Sequence, residues 1–348
     1  MTEAPENFLR ALAAQQDGRL DEAAGLYRAT LEAHPDAAPA YHNLAATLGA
    51  LGRTDEVETV LRAAVTRFPQ TPAFRLNLAL QRLAEGDYAE GLALYEARSE
   101  IAGTPSPRPQ LDIPEWCGEP LAGKHILLWP EQGLGDQIMW ARFVPVLRAQ
   151  GARVTLLADP ALARLFRSTF DAEVIAATGE VALPPADAWA LSGSVPWRLG
   201  TTLETLPRGP YLSAPPRPRP GARIGVVTRG NPRQPQNHLR SLPPEAAERL
   251  LALPGAVSLH YDDLEVADMW DTAQLVAGLD LVVTVCTSMA HLAGALGKPT
   301  RVLLSPAADW RWLRGRADSP WYPSARLYRQ DRGEPWDAVV SRVIADLG

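Results

Sequence analysis

Cysteine is nearly absent from this 348-residue chain: Cys117 and Cys286 are the only two, and they lie far apart. That argues against a disulfide scaffold and against a cysteine-based zinc site. No stretch approaches the roughly 20 uninterrupted apolar residues of a membrane helix. The first residues, Met1 to Phe8, are acidic and polar, unlike a secretory signal. The expectation is a cytoplasmic protein. A basic excess is missing too. Residues 1–100 carry nine Arg against 15 Asp and Glu, which accounts for the whole net charge of −6, and the remainder is balanced. A nucleic-acid-binding face would need the opposite sign. The acidic part is read either as a solvated helical surface or as a docking surface for a basic partner. At 46% hydrophobic, the chain is long enough for two or three domains with cores of their own.

An internal period of 34 residues organises the first hundred. Gly18, Gly52 and Gly86 follow it, as do Tyr27, Leu61 and Tyr95, and Pro35 and Pro69. Each glycine fits the turn between two antiparallel helices, where a positive φ is cheap only for glycine. Each proline closes a second helix. Ala23, Ala45, Ala64 and Ala79 allow close helix packing. This period resembles the tetratricopeptide repeat, over residues 7–98, with nearly three repeats. Such arrays bind polypeptide on a concave face. Asn43 and Asn77 stand one period apart on successive first helices. Their amides suit a peptide backbone, an arrangement similar to the asparagine ladder of O-GlcNAc transferases. The competing reading is that asparagine serves a local purpose there.

Residues 101–115, with Pro105, Pro107, Pro109 and Pro114, read as an extended linker. The apolar run Lys124 to Trp129 reads as a buried strand. It leads into Pro130-Glu-Gln-Gly-Leu-Gly-Asp-Gln137, then a helix over Gln137 to Ala149 and a strand over Arg153 to Ala158. Strand, glycine turn, helix and strand make a βαβ unit. Gly133 and Gly135 are read as allowing a tight turn and the approach of a ligand. Asp136 at the helix start is either a plain cap or a general base beside a cleft. A second proline-rich hinge, Ser213 to Gly221, precedes a new strand over Ala222 to Thr228. Arg229-Gly-Asn-Pro232 follows it. Arg229, Arg233 and Arg240 are either solvated side chains on a turn or partners for a diphosphate. Leu279 to Val285 is a further apolar strand, feeding Cys286-Thr-Ser-Met-Ala-His291 and a small-residue helix, Leu292 to Leu296. Hydroxyls at such a junction can cradle phosphate or sugar. A last helix spans Trp336 to Leu347 and is expected to cross back onto the first α/β half.

Residues 114–348 resemble the glycosyltransferase family of the ADP-heptose:lipopolysaccharide heptosyltransferases, glycosyltransferase family 9, in the branch fused to tetratricopeptide repeats. The matching residues are Trp116, Gly118-Glu-Pro-Leu-Ala-Gly-Lys124, Glu131-Gln-Gly-Leu-Gly-Asp136, Gly230-Asn-Pro232 and Arg240-Ser-Leu-Pro243. Ser288, His291-Leu-Ala-Gly-Ala-Leu-Gly297, Asp309-Trp-Arg-Trp312 and Asp318-Ser-Pro-Trp-Tyr-Pro323 complete the set. The resemblance implies a GT-B fold of two Rossmann-like domains behind the repeats. Its implied bounds are repeats over 1–100, a linker over 101–115, an acceptor-side domain over 116–212, a nucleotide-sugar domain over 213–335 and a crossover helix over 336–348. It makes Asp136 the base that activates an acceptor hydroxyl. It places Gly230, Asn231, Arg240, Cys286, Thr287, Ser288 and His291 at the donor. No cofactor or metal is implied, the nucleotide sugar being a substrate; Asp262-Asp263 is a bare pair and no Asp-x-Asp stands on a donor loop.

The departures cluster on the donor side. Cys286 replaces the family's Asp, and a thiol cannot stand in for a charge. Gln234 and Gln236-Asn237 replace a His and an Asn-Asp. Thr228 stands where an aromatic is usual, and His260 where Gln is common. The first expectation is an inverting glycosyltransferase acting on a polypeptide held by the repeats, such as flagellin or another bacterial surface protein. The second is a weakened or inactive glycosyltransferase-like adaptor. The third is a heptosyltransferase acting on lipopolysaccharide or another glycan.

Overall fold

The computed structural model describes residues 6–234 and 237–348. The chain divides into two compact units between Thr104 and Pro105. The first is a run of six helices: α1 (Glu6–Gln16), α2 (Leu20–Ala33), α3 (Ala38–Leu51), α4 (Thr54–Arg67), α5 (Pro72–Glu85) and α6 (Tyr88–Tyr95). The periodic glycines close α1, α3 and α5 with φ of +75°, +76° and +89°. A side chain at these three turns would be strained. Small residues and one large one share the core: Ala11, Ala14, Ala23, Ala24, Leu44 and Tyr27 are all buried. The Tyr27 hydroxyl donates to Gln15 Oε1 at 2.6 Å and is bonded by Asn43. Asn43 is half-buried beside that hydroxyl. Asn77 is half-buried on α5, and the residue one period after Tyr27 is Leu61, which has no hydroxyl to hold it.

Ion pairs repeat with the helices. Arg28 meets Glu56, and one period later Arg62 holds Glu90 through two bonds of 2.8 Å. At the two ends the same positions pair locally, Glu22 with Arg19 and Glu96 with Arg98. The two rungs between repeats are solvent-exposed, so each contributes at most ~1 kcal/mol and they act as register marks more than as glue.

In the second unit the proline-rich segment is not a free connector. The Pro105 carbonyl accepts from the Gln132 N–H at 3.1 Å, and Leu111 and Ile113 pack on Leu127, Trp189 and Leu191. Two parallel sheets follow. The first contains β1 (His125–Trp129), α7 (Leu134–Ala141), α8 (Phe143–Ala149), β2 (Arg153–Ala158), α9 (Pro160–Thr169), β3 (Glu173–Ala176), β4 (Ala188–Leu191) and α10 (Val195–Arg198), in strand order β3-β2-β1-β4. The segment Pro114–Trp116 adds to its edge through two bonds with Trp189, of 2.7 and 3.0 Å. The second contains β5 (Ile224–Val227), α11 (Asn237–Arg240), α12 (Pro244–Leu251), β6 (Ala256–Ser258), α13 (Met269–Ala277), β7 (Leu281–Val285), α14 (Ser288–Ala295), β8 (Thr300–Leu304), β9 (Ala325–Arg329) and α15 (Trp336–Leu347), in order β6-β5-β7-β8-β9.

Three expectations need correction. The helix read as Gln137 to Ala149 starts at Leu134 and breaks at Arg142. Pro145 causes the break, because it has no amide for the carbonyl four residues back. The small-residue helix starts at Ser288 rather than Leu292, with Thr287 as its cap. The last helix does not have its apolar stripe on the first sheet. Trp336, Val339, Val340 and Val343 are buried with Val226, Val283 and Leu303 in the core of the second.

Arg142, at the break, is 1% exposed and joins the two sheets. It donates to the carbonyls of Met139, Pro207 and Trp321 at 2.9–3.0 Å, and lies 4.8 Å from the ring centres of Tyr211, Trp321 and Tyr322. Arg142→Ala would strip three buried carbonyls of their donor. We expect a loss of ~3 kcal/mol or more in this unit. All ten tryptophans lie at or beyond Trp116, so urea unfolding followed by tryptophan fluorescence reads this unit alone. An unchanged midpoint would remove Arg142 from that role.

Candidate active site

The loops that follow β1, β5, β7 and β8 converge on one cavity of about 410 Å³. In parallel sheets ligands settle outside the carboxyl ends of the strands, where the strand order reverses. In the first sheet that point lies between β1 and β4, and in the second between β5 and β7. Gln132 to Asp136, Asn231, Arg240, Cys286 to Ser288, His291, Asp309 and Arg311 line the cavity. Of the residues singled out in the sequence on this side, Gly230 and Arg229 line an adjoining cavity of about 750 Å³ that shares Asn231, Thr287 and Ser288, and Arg233 lines neither. Asn43 and Asn77 belong to the repeats, and Gln236 lies outside the described residues.

Asp136 occupies the third position of α7, not its cap. Its Oδ2 accepts from the Gly133 N–H at 3.0 Å, and its Oδ1 faces Arg311 Nη2 at 2.5 Å. Burial pushes its carboxyl above the usual range, against the pull of Arg311. Arg311 also holds Asp309 through bonds of 2.8 and 3.0 Å, and its guanidinium lies 4.6 Å from the Trp310 ring centre. A carboxylate, a guanidinium and a second carboxylate thus form one chain across the cavity. The motif Asp309-Trp-Arg-Trp312 was visible in the sequence, where packing is the simplest account of its tryptophans. The pairing of Arg311 with Asp136 spans 175 positions and left no local signal.

The two glycines of the loop act differently from the reading of the sequence. The positive φ of the turn belongs to Gln132, at 59°. Gly133 is extended, a conformation open to any residue. Gly135 is needed for close approach, though by protein and not by ligand. A Cβ there would lie 2.9 Å from the His291 ring and 3.3 Å from the Ser288 Cα. Helices α7 and α14 meet at this point. Gly230 makes room in the same way, because a Cβ would lie 2.6 Å from Arg240 Nε. Arg240 crosses the loop to donate to the Cys286 carbonyl at 2.9 Å and Gln234 Oε1 at 2.8 Å.

His291 is packed among Trp312, Tyr322 and Gly135, with Nδ1 2.8 Å from the Tyr322 hydroxyl. Burial lowers its pKa to about 3, so it is neutral at physiological pH. Thr287 caps α14 by accepting from the Met289 N–H at 3.3 Å. Cys286 Sγ lies 3.1 Å from Trp312 Nε1, which donates to it, and burial pushes its thiol up to about 11. The cavity therefore presents charge through Arg240, Arg311, Asp136 and Asp309, and none at position 286. Among the described residues no group of three or more His, Cys, Asp or Glu side chains is placed to hold a metal ion.

At pH 8 only about one Cys286 in a thousand would be thiolate, given its pKa of about 11. A thiol-specific chromogenic reagent is expected to label exposed Cys117 quickly and Cys286 only after unfolding. Two equally fast thiols would contradict this environment.

Residues 14–81 match the tetratricopeptide repeat family. Over 91% of its length the chain is 29% identical to Protein FlbA of Caulobacter vibrioides, and it spans 62% of that protein. Among solved structures, a glycosyl transferase family 9 protein of Veillonella parvula is 14% identical, covering 65% of this chain and 97% of its own, with a TM-score of 0.46. The ADP-heptose lipopolysaccharide heptosyltransferase II of E. coli is 16% identical, covering 64% and 97%, with a TM-score of 0.44. In architecture the chain is a tetratricopeptide array followed by a pair of Rossmann-type parallel sheets.

Proposed function

We propose that the chain is an inverting, nucleotide-sugar-dependent glycosyltransferase whose acceptor is a polypeptide bound by the repeats, flagellin or another surface protein being the kind of acceptor in view. The observation that carries this reading is the meeting of Asp136 with Arg240 and the start of α14 in one cavity at the carboxyl ends of both sheets. The amides at the start of α14 and the Arg240 guanidinium suit a diphosphate. Asp136 takes the proton of the acceptor hydroxyl. The hydroxyl oxygen then bonds to the anomeric carbon from the face opposite the phosphate, and the C–O bond to the nucleoside diphosphate breaks. The leaving charge is met by Arg240 and the helix amides, so no metal or cofactor enters the scheme. The work is placed in the cytoplasm, where nucleotide sugars are made.

One observation favours the adaptor reading. Both oxygens of Asp136 are engaged, by Gly133 and by Arg311, and position 286 offers no carboxylate. The two readings separate in one experiment. Calorimetric titration with ADP, GDP, UDP and CDP is expected to give micromolar binding of one of them, and that nucleotide's sugar conjugate is expected to support transfer to a polypeptide. Asp136→Asn is then expected to lower the transfer rate by about 10²–10⁴-fold with nucleotide affinity unchanged. Binding without transfer by the wild type would favour the adaptor.

The pH dependence follows from the raised carboxyl. The base form is lost as pH falls through a pKa above the ordinary Asp value. The rate is expected to decline on the acid side earlier than a normal carboxylate would dictate, and His291, neutral throughout, is expected to add no inflection near pH 6.5. A rate profile flat down to pH 4 would exclude Asp136 as the base.

A further inference from the structure

Two of the unusual positions noted in the sequence, Thr228 and His260, touch each other. The backbone N–H of Thr228 donates to His260 Nε2 at 3.1 Å, and the Thr228 hydroxyl lies at the same distance from that nitrogen. A backbone amide can only donate, so Nε2 carries no proton. Burial and the Arg229 charge lower the pKa of the ring and keep it neutral. The proton of the neutral ring then sits on Nδ1. His260 is 92% buried by the complement of its 8% exposure, yet Nδ1 meets no protein acceptor among the described residues and is not among the fully enclosed polar atoms. His260 is one of the residues that line the cavity of about 750 Å³ beside the candidate active site. A lining residue of that cavity thus carries an unspent Nδ1–H donor, its tautomer fixed by Thr228.

The lining of the cavity is mixed in chemistry. Where it adjoins the candidate active site it holds Asn231, Thr287 and Ser288. The rest of its lining includes Leu259, Leu264, Val266 and Met269, from the stretch of chain that carries His260, with Arg229, Ser241, Asp262 and Thr272 among its polar members. Apolar side chains beside a hydrogen-bond donor of fixed tautomer suit a flat heterocycle, whose faces are apolar and whose edge needs a hydrogen-bond partner. We propose that His260 reads the nucleobase of the donor, its Nδ1–H donating to a ring nitrogen or carbonyl oxygen at the edge of the base. This rests on the nucleotide-sugar reading above and adds the residue that selects the base. Thr228 is a positioning residue, because its amide fixes which nitrogen of the ring faces the ligand.

The test is calorimetry on the full chain with the nucleoside diphosphate that binds best, and with inorganic pyrophosphate as a base-free probe. His260→Leu is expected to weaken the nucleoside diphosphate about tenfold, the worth of one hydrogen bond, and to leave pyrophosphate unchanged. His260→Gln is expected to retain most of the affinity, since one carboxamide supplies an acceptor for the Thr228 N–H and a donor for the base. Equal weakening of both probes, or none, in His260→Leu would overturn the assignment while leaving the nucleotide-sugar reading intact. A wild type that binds no nucleoside diphosphate would instead overturn that reading, and this one with it. Independently of any variant, ¹⁵N histidine spectra of the wild type are expected to show the His260 proton on Nδ1 and to show Nδ1 shifting when the nucleotide binds. A proton on Nε2, or an Nδ1 signal indifferent to the nucleotide, would also overturn it.

Discussion

One buried guanidinium sets the geometry on which the rest depends. Arg142 has no carboxylate partner among the described residues and is satisfied by three carbonyls and three aromatic faces drawn from both sheets. A buried charge held by dipoles and rings loses much if any part of the cage moves. That fixes α7 against the segment Trp321–Tyr322. Tyr322 in turn touches His291, so α14 is placed as well. The loop bearing Asp136 and the helix that begins at Ser288 are thereby held at one crossing, with Gly135 as the point of contact. The site is a by-product of the way the two sheets are clamped.

Much of this was legible in the sequence where periods or local runs carry the information. The 34-residue repeat shows itself because the same turn must recur, and each turn needs a glycine. The strands show themselves as short apolar runs, because a parallel sheet is covered on both faces. What could not be read were features set by contacts distant in sequence. Gly135 looks like a ligand-binding glycine until His291 is found against it. Pro145 is in plain view, yet the apolar pattern continues through it, so the sequence reads as one helix where the structure has two. The long Asp136–Arg311 pair depends on how the two sheets face one another, and no spacing rule encodes that. The stripe on the last helix is equally suited to either sheet, so its destination had to come from packing.

The departures on the donor side have different structural outcomes. Cys286 sits in an aromatic corner, where Trp312 donates to its sulfur and burial favours the neutral thiol. Thr228 and His260 form a hydrogen-bonded pair of their own. Position 286 brings no charge to the cavity, whereas Thr228 and His260 are mutually adjusted.

The ion pairs of the repeats bear on how such an array could lengthen. An internal repeat carries both halves of a rung: an arginine for the next repeat and a glutamate for the one before. Copying it within the array would preserve every pairing. At the end of the array Glu96 stands where Arg28 and Arg62 would lead one to expect a base, and it turns to Arg98 instead. A repeat appended there would meet an acid with an acid. Growth by internal duplication would keep the arginine–glutamate rung, whereas a repeat added at that end would bring its glutamate to a position that holds no arginine.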